Sequence, residues 1–144
     1  ALHHSSLRTF TAMVSVGSTA AANKKLVSMF FEQVCNQRKF DAVSQYLTPD
    51  FASHRATKSI QGREQWAGMF SMVVSRFMPD FHADVQRVLA GEDQVWILSH
   101  LRGSPEGVDG KLRVSVDLFR VQDGFIAEHW DVQQNVDPEP WHKK

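Results

Sequence analysis

The chain has 144 residues, which suits one domain with a single sizeable core. Its formal net charge at pH 7 is zero, so bulk electrostatics favour neither a nucleic acid nor a membrane surface as a partner. No run approaches the roughly 18 apolar residues of a membrane span, and the single cysteine, Cys35, excludes an intrachain disulfide and a cysteine-based zinc site.

Residues 1–22 differ in composition from the rest of the chain. They are rich in Ser, Thr and Ala, and the first acidic residue is Glu32. This pattern resembles a processed leader or an organellar transit segment. A loose N-terminal arm or an expression remnant is the simpler interpretation, and we favour it. We therefore predict an arm over 1–22, a domain over 23–136 and a tail over 137–144, in a cytoplasmic protein with an organellar leader as the alternative.

The first predicted helix covers residues 20–37. Apolar residues repeat there at spacings of three and four, as on one face of a helix. Asn23 is a candidate N-cap, although the alanines before it can extend the helix upstream. The residues that carry the repeat are Leu26, Met29, Phe30 and Val34.

Two further helices are predicted before the first regular strand. One covers residues 40–47 and is ended by Thr48-Pro49-Asp50. The segment 51–56 is short and extended or irregular, and it contains His54. The other helix covers 63–77, has a broad apolar face and stops before Pro79.

After Pro79 the apolar period becomes mostly two, which predicts strands over 81–89 and 94–102. A polar loop over 103–110 leads to a hairpin over 113–135 whose turn is Asp123-Gly124. Three helices followed by four antiparallel strands predict an α+β fold, with the helices on one face of a curved sheet. Such a sheet leaves room for a blind conical cavity.

Two carboxylates in the hairpin are the main candidates for chemistry. Asp117 and Asp131 lie among apolar strand residues, where an acid is costly unless it is paired, solvated in a cavity or protonated. With a strict two-residue turn, Asp117 faces Trp130 and Asp131 points to the other side. With a bulge at Gly124, both acids share a face with His129. The sequence leaves both registers open, and a structural salt bridge is the alternative to a pocket role.

Histidines form the second candidate set, because imidazole exchanges a proton near neutral pH. His54 is the strongest of them, since it lies in an irregular segment where cavity mouths are often built. No His-x-Glu-x-x-His spacing predicts a metal site, and no Gly-x-Ser-x-Gly elbow predicts Ser-His-Asp catalysis. The other members of the set are His82, His100 and His129.

The hairpin sequence VDLFRVQDGFIAEHWDVQQN resembles the C-terminal hairpin of SnoaL-like proteins in the NTF2-like superfamily. Upstream, LTPDFASH resembles the family segment that ends in His, and IQGRE resembles the turn that opens its third helix. The resemblance covers about residues 23–136. It implies a cone-shaped α+β barrel with a blind pocket, in a dimer packed through the outer face of the sheet.

The same resemblance implies an activity and its residues. The family's best-known members are polyketide cyclases that close a ring by aldol condensation without metal or organic cofactor. Asp131 matches their acid/base and His54 matches an upstream His. Related epoxide hydrolases carry an Asp-Arg-Asp set, in which Asp117 and Asp131 match the acids but Ser115 stands in the place of the Arg. The upstream His is followed by Asn-Pro in the family and by Arg55-Ala56 here.

We therefore predict a cofactor-independent enzyme, of the cyclase or isomerase type, that acts on a small apolar or aromatic carbonyl compound. Asp131 removes a proton next to the carbonyl, and His54 or a protonated Asp117 stabilises the enolate. The rival hypotheses are a non-catalytic ligand-binding protein and an epoxide hydrolase. The predicted assembly is a homodimer, with no nucleic-acid or membrane partner. The residues predicted to line the pocket are His129, Trp130, Phe119, Trp66, Phe70 and Trp96.

Overall fold

The computed structural model describes residues 19–103 and 111–142. Helices and strands follow one another in the order helix, strand pair, helix and four-strand meander. The helices are α1 over 19–30, which continues into a π-helical segment at Phe31–Asn36, a 3-10 helix at Phe40–Gln45, α2 at Arg63–Arg76 and α3 at Pro138–His142. The strands are β1 (Leu47–His54), β2 (Ser59–Gln61), β3 (His82–Ala90), β4 (Gln94–Arg102), β5 (Leu112–Gln122) and β6 (Phe125–Val136).

All six strands belong to one curved sheet in the order β2-β1-β6-β5-β4-β3. Every pairing is antiparallel except that of β1 with β6, which is parallel. The helices before β3 cover one face of the sheet, and the buried core lies between them and the sheet. The predicted α+β class with a mainly antiparallel sheet is confirmed. The sheet is open, with β2 and β3 as its edges, rather than a closed barrel.

The buried face of α1 differs in part from the predicted apolar repeat. Val27, Phe30 and Val34 are buried, whereas Met29 is 39% exposed. Asn23 is not the N-cap, because the helix already includes residue 19. Its buried side chain instead donates a hydrogen bond to the Glu92 carbonyl, which ties the helix to the turn after β3. The upstream extension that the alanines permit is the one observed.

The prediction of a helix over 40–47 is wrong at its C-terminal end. Leu47 is fully buried in β1, and the extended segment begins there rather than at residue 51. Pro49 suggested an end to regular structure because it lacks an N–H donor. The pairing of β1 with β6 is interrupted between Leu47 and Ala52, so a proline fits this part of the strand.

Other boundaries agree with the predictions to within a residue or two, including α2, β3, β4 and the hairpin. Two features differ. Phe77, the last residue of the predicted third helix, is the C-cap of α2 and is 62% exposed. Within the predicted tail over 137–144, residues 138–142 form the helix α3. Residues 1–18 of the predicted arm and residues 104–110 of the polar loop lie outside the described residues, whereas 19–22 belong to α1.

The hairpin combines a two-residue turn with a bulge. Asp123 and Gly124 both have positive φ, and Gln122 pairs with Phe125 directly across the turn. The register then shifts, because Ala127 is an extra residue between the Val121–Ile126 and Arg120–Glu128 pairs. The bulge therefore lies at Ala127 and not at Gly124, but it has the effect considered above. Asp117 pairs with Asp131, and both face the helices.

Within the described parts of the chain, no helix has the length and apolar character needed to cross a membrane.

Candidate active site

A cavity of about 350 Å³ lies between the helices and the inner face of the sheet. Its two walls differ in chemistry. Apart from the thiol of Cys35, the side chains that the helical wall contributes are apolar: Phe30, Phe31, Trp66, Met69, Phe70 and Val73. All the polar and charged lining residues belong to β1, β5 and β6 or directly follow β1: Ser53, Arg55, Arg113, Ser115, Asp117, His129, Asp131 and Gln133.

The apolar wall is built from packed aromatic rings. Trp66 and Phe70 stack with their ring centroids 5.2 Å apart, and Phe51 meets Trp66 edge to face at 5.9 Å. Trp66 and Phe70 lie on the same side of α2 because they are about one helical turn apart, and this side faces the cavity. The wall therefore offers flat apolar surfaces suited to an aromatic or alicyclic ligand.

Asp117 is a buried acid whose two oxygens both accept hydrogen bonds. Oδ1 is 2.8 Å from His129 Nε2, and Oδ2 accepts from the Ser115 hydroxyl at 2.8 Å. Its side chain is only 9% exposed. A carboxylate that accepts on both oxygens acts as an anion that orients its neighbours.

His129 is held on three sides. Its ring stacks on Phe119 with centroids 4.7 Å apart, Nε2 faces Asp117, and Nδ1 is 3.0 Å from the Ser53 hydroxyl. Ser53 is its direct partner in the parallel pairing of β1 and β6. The ring is thus fixed in plane and orientation within the cavity wall.

Asp131 lies opposite Asp117 but has different surroundings. Its Oδ2 accepts hydrogen bonds from Arg55 Nη2 at 3.3 Å and from Gln133 Nε2 at 2.9 Å. Its Oδ1 is buried and has no hydrogen-bond partner among the described residues. The side chain is 6% exposed, whereas that of Arg55 is 46% exposed. Arg113 completes this end of the cavity by donating from Nε to Gln133 Oε1.

Three residues predicted for the site point to the opposite, outer face of the sheet. His54 of β1 pairs with Trp130 of β6, and this pair directly follows the Ser53–His129 pair, which faces the cavity. Trp96 pairs with Leu118, which in turn pairs with Trp130, so it lies on the same outer face. The reason is the alternation of side chains along a strand. Of the predicted pocket residues, the cavity contains His129, Phe119, Trp66 and Phe70, together with both acids.

His54 belongs to a separate polar network on the outer face. Its ring stacks on Trp130, and its Nε2 is 3.2 Å from Glu128 Oε1. Arg120 donates to the other oxygen of Glu128 at 2.6 Å. The hydrogen bond from Arg120 is the main cause that lowers the pKa of Glu128, and His54 adds to it, while partial burial opposes both. His82 and His100 also occupy outer-face positions, in β3 and β4.

Several polar residues of the cavity were not predicted from the sequence. Ser53 and Arg55 extend the inward-facing series that begins at Phe51, but the segment was described only as extended or irregular. Period-two spacing of these three residues is the signal that could have found them. The parallel contact of β1 with β6, which brings them to His129 and Asp131, has no local signature in the sequence.

Cys35 also lines the cavity, as a buried thiol beside the acids. Burial raises its pKa far above the ordinary value, and the charge of Asp117 acts in the same direction. Within residues 19–103 and 111–142, no three His, Cys, Asp or Glu side chains form a group that could hold a metal ion.

The open sheet covered by helices on one face is the NTF2-like fold. A family model described as SnoaL-like polyketide cyclase matches residues 25–140, and the chain belongs to that family. A search among curated proteins gave no match.

Solved structures share this fold. A protein from Jannaschia sp. CCS1, provisionally assigned as a SnoaL-like polyketide cyclase, has 20% identity and a TM-score of 0.70 over 81% of this chain and 88% of its own. One from Kribbella flavida DSM 17836, provisionally assigned as a ketosteroid isomerase, has 17% identity and a TM-score of 0.68 over 87% and 90%. An LEH-like epoxide hydrolase from M. tuberculosis has 19% identity and a TM-score of 0.64 over 80% and 84%. At these identities the likeness shows the fold alone.

Proposed function

We propose that this protein is a cofactor-independent acid/base enzyme that acts on a small apolar or aromatic carbonyl compound. The reaction is proton abstraction next to the carbonyl, as in an aldol cyclisation or a double-bond isomerisation. The aromatic wall of α2 supports the apolar body of such a substrate, and the polar strands face its oxygen-bearing end.

The observation that carries the proposal is the state of Asp131. One of its oxygens is fixed by Arg55 and Gln133, while Oδ1 is buried without a partner among the described residues. A buried carboxylate oxygen without a partner is costly to stability, so it marks a place where a proton acceptor is held ready. The C–H group next to the carbonyl of a bound substrate then supplies the proton that Asp131 Oδ1 accepts.

Arg55 is the group best placed to stabilise the enolate. Its guanidinium contacts Asp131 with one nitrogen at 3.3 Å and carries further N–H donors for a substrate oxygen. The two groups proposed for this role from the sequence are less suited to it. His54 is on the outer face, and Asp117 already accepts two hydrogen bonds, so it has the contacts of an anion rather than of a donor.

The rival hypothesis is a pocket that binds a ligand without chemistry. It expects every acid in the cavity to be salt-bridged, with no unpaired proton acceptor. Both acids are salt-bridged, Asp117 to His129 and Asp131 to Arg55, but Asp131 also has an oxygen without a partner among the described residues. The free oxygen of Asp131 favours the catalytic hypothesis.

The proposal is tested with 2-tetralone, a small aryl ketone with acidic α-hydrogens, in deuterium oxide. Proton NMR follows the loss of the α-hydrogen signal with wild-type protein and with Asp131→Asn. Positioned general bases contribute about a hundredfold or more to rate, so the variant should lose most of the protein-catalysed exchange. Arg55→Gln should slow exchange less than this, because the base remains.

Asp84→Asn is the matched control, since Asp84 is an exposed acid bound to Arg102 on the outer face. It should exchange the ketone at the wild-type rate. Equal exchange rates in wild type and Asp131→Asn would refute the proposal and leave the ligand-binding hypothesis.

Epoxide opening is the second candidate, because two acids face each other across β5 and β6 with a guanidinium beside one of them. Arg55, which directly follows β1, supplies that guanidinium. The epoxide-hydrolase pattern instead has an Arg at the position of Ser115. Hydrolysis of cyclohexene oxide to the diol, lost in both Asp117→Asn and Asp131→Asn, would favour this function over ketone chemistry.

A further inference from the structure

Three side chains on the cavity wall form a continuous hydrogen-bonded row that the proposed ketone chemistry does not use. The Ser53 hydroxyl is 3.0 Å from His129 Nδ1, and His129 Nε2 is 2.8 Å from Asp117 Oδ1. They come from β1, β6 and β5, and all three face the cavity. A hydroxyl bonded to an imidazole that is itself oriented by a carboxylate is the arrangement that activates a serine nucleophile.

The contacts of Asp117 fix the tautomer of His129. An ionised carboxylate has no proton to donate, so Asp117 Oδ1 accepts a hydrogen bond from His129 Nε2–H, while Oδ2 accepts one from Ser115. In the neutral imidazole, Nδ1 then carries a lone pair, and this lone pair faces the Ser53 hydroxyl. Stacking on Phe119 holds the ring in this position. His129 is therefore set as a base toward Ser53, with the two ring nitrogens exchanged relative to the serine-protease triad.

We propose that Ser53 is a nucleophile and that the cavity hydrolyses small esters through an acyl-enzyme. Ser53 Oγ attacks the ester carbonyl while His129 Nδ1 takes its proton. The ester C–O bond breaks, and the leaving alkoxide or phenoxide receives that proton and departs as the alcohol. Water, deprotonated by His129, then attacks the acyl-serine, which releases the carboxylic acid and restores the Ser53 hydroxyl. No electrons are exchanged with an outside reagent.

The neighbourhood of Ser53 supplies the other needs of this reaction. Arg55 is two residues further along the chain, lines the same cavity and carries donors for the oxyanion. The apolar wall of α2 suits a hydrophobic acyl or aryl group, and the cavity volume of about 350 Å³ restricts the substrate to a small ester. No sequence motif marks this site, because the serine lies in a strand and not in an elbow between a strand and a helix.

The test uses the full chain with two probes. A fluorophosphonate reagent reports the nucleophile, since it adds a phosphonyl group to an activated serine and peptide mass spectrometry locates that group. p-Nitrophenyl acetate reports turnover. We expect the label on Ser53 and a loss of at least tenfold in ester hydrolysis, over the buffer rate, in Ser53→Ala, His129→Gln and Asp117→Asn.

Ser99→Ala is the matched control. Ser99 is also fully buried on the inner face, in β4, but its hydroxyl has no hydrogen-bond partner among the described residues. It should keep both labelling and turnover. Ser53→Ala removes one oxygen only, so its folding, checked by thermal unfolding, should be retained even where His129→Gln unfolds.

Two outcomes would overturn the proposal: a phosphonyl group on any residue other than Ser53 or on none, or ester turnover that Ser53→Ala retains. The phosphonyl label on Ser53 separates this inference from the proposed ketone chemistry, which expects no modification of that serine. Loss of ketone exchange in Asp131→Asn tests the ketone chemistry alone, so either proposal can fail while the other holds.

Discussion

Two aspartates face each other across β5 and β6, yet their hydrogen bonds differ. Asp117 is saturated by Ser115 and His129, so it orients other groups. Asp131 is bound on one oxygen only, which leaves the other as a proton acceptor. The difference arises from the neighbours that each strand supplies and not from depth, because both side chains are almost equally buried.

Cys35 gives a prediction about reactivity at the residue scale. Because burial and the charge of Asp117 raise the pKa of the thiol, very little thiolate exists near neutral pH. We expect iodoacetamide to leave Cys35 unmodified in the folded protein and to alkylate it fully in guanidinium chloride, as read by intact mass. Rapid modification of the folded protein would contradict this account of the cavity wall.

Glu128 gives a prediction about acid stability. Its pKa in the folded state lies below the ordinary value of 4.5, mainly because Arg120 donates to it. The ionised carboxylate therefore stabilises the fold above that ordinary value, and this contribution is lost as the pH falls through the lowered pKa. Glu128→Gln should reduce the free energy of unfolding by about 1 kcal/mol at neutral pH.

The same variant should differ less from wild type in acid. Urea unfolding at neutral pH and near pH 4 or below measures both differences. Glu64→Gln is the control, because Glu64 is exposed and contacts only its neighbour Arg63 among the ion pairs described. A difference between wild type and Glu128→Gln that grows in acid would contradict the assignment.

Residue identities in the site were only partly predictable. An acid in an apolar strand is conspicuous, so Asp117 and Asp131 were found from the sequence. Arg55 and Ser53 are ordinary polar residues of an extended segment, and only the contact of β1 with β6 gives them a chemical setting. His54 stood out by type and position, but the phase of its strand directs it away from the cavity.

At the scale of the element, the hairpin determines which side chains reach the cavity. The turn at Asp123-Gly124 begins β6 in one register, and the extra residue Ala127 moves the rest of β6 by one position. A one-residue change reverses the face of every later side chain. His129 and Asp131 point into the cavity for this reason, while Trp130 between them points outward.

The turn gives a prediction with a close control. Gly124 has a φ of 79°, where a Cβ is unfavourable, and nothing else would touch that Cβ. Gly124→Ala should therefore lower the free energy of unfolding by about 1 kcal/mol through backbone strain alone. Gly91→Ala, in the turn between β3 and β4 where no contact is formed either, should change it much less. Equal effects in urea unfolding would contradict this assignment.

Elements with a strong local pattern were predicted well, as α2 and β4 show. β1 was not, because Pro49 and the irregular pairing beside it conceal the strand in the sequence. The register of the hairpin remained open between two alternatives, since a bulge at Ala127 has no distinctive residue type. Local chemistry thus predicted the elements, while pairing between distant strands decided the site.

At the scale of the whole molecule, the outer face of the sheet exposes several large apolar side chains. Its central strands expose Trp96, Val116, Trp130 and Val132, and Leu89 of the edge strand is 71% exposed. The family resemblance leads us to propose that a second copy of the chain covers this face. The outer face is the back of the sheet that forms the cavity wall, so a dimer contact there would also stabilise the register of β6.

This proposal predicts a mass of two chains in solution by light scattering. Val132 is 73% exposed at the centre of the face, so Val132→Lys should place a charge in the interface and shift the protein toward monomer. Met72→Lys, at a similarly apolar but helical surface position, should leave the mass unchanged. A wild-type monomer, or a dimer that Val132→Lys does not weaken, would contradict the proposed interface.

The central claim is that the polar strand wall of the cavity, and Asp131 in particular, meets the reacting carbon of a carbonyl compound. The most direct test is a crystal structure of the protein with 2-tetralone bound. We expect the ring against Trp66 and Phe70, the α-carbon within reach of Asp131 Oδ1 and the carbonyl oxygen toward Arg55. A ketone bound outside the cavity, or one with its carbonyl among the aromatic rings of α2, would contradict the claim.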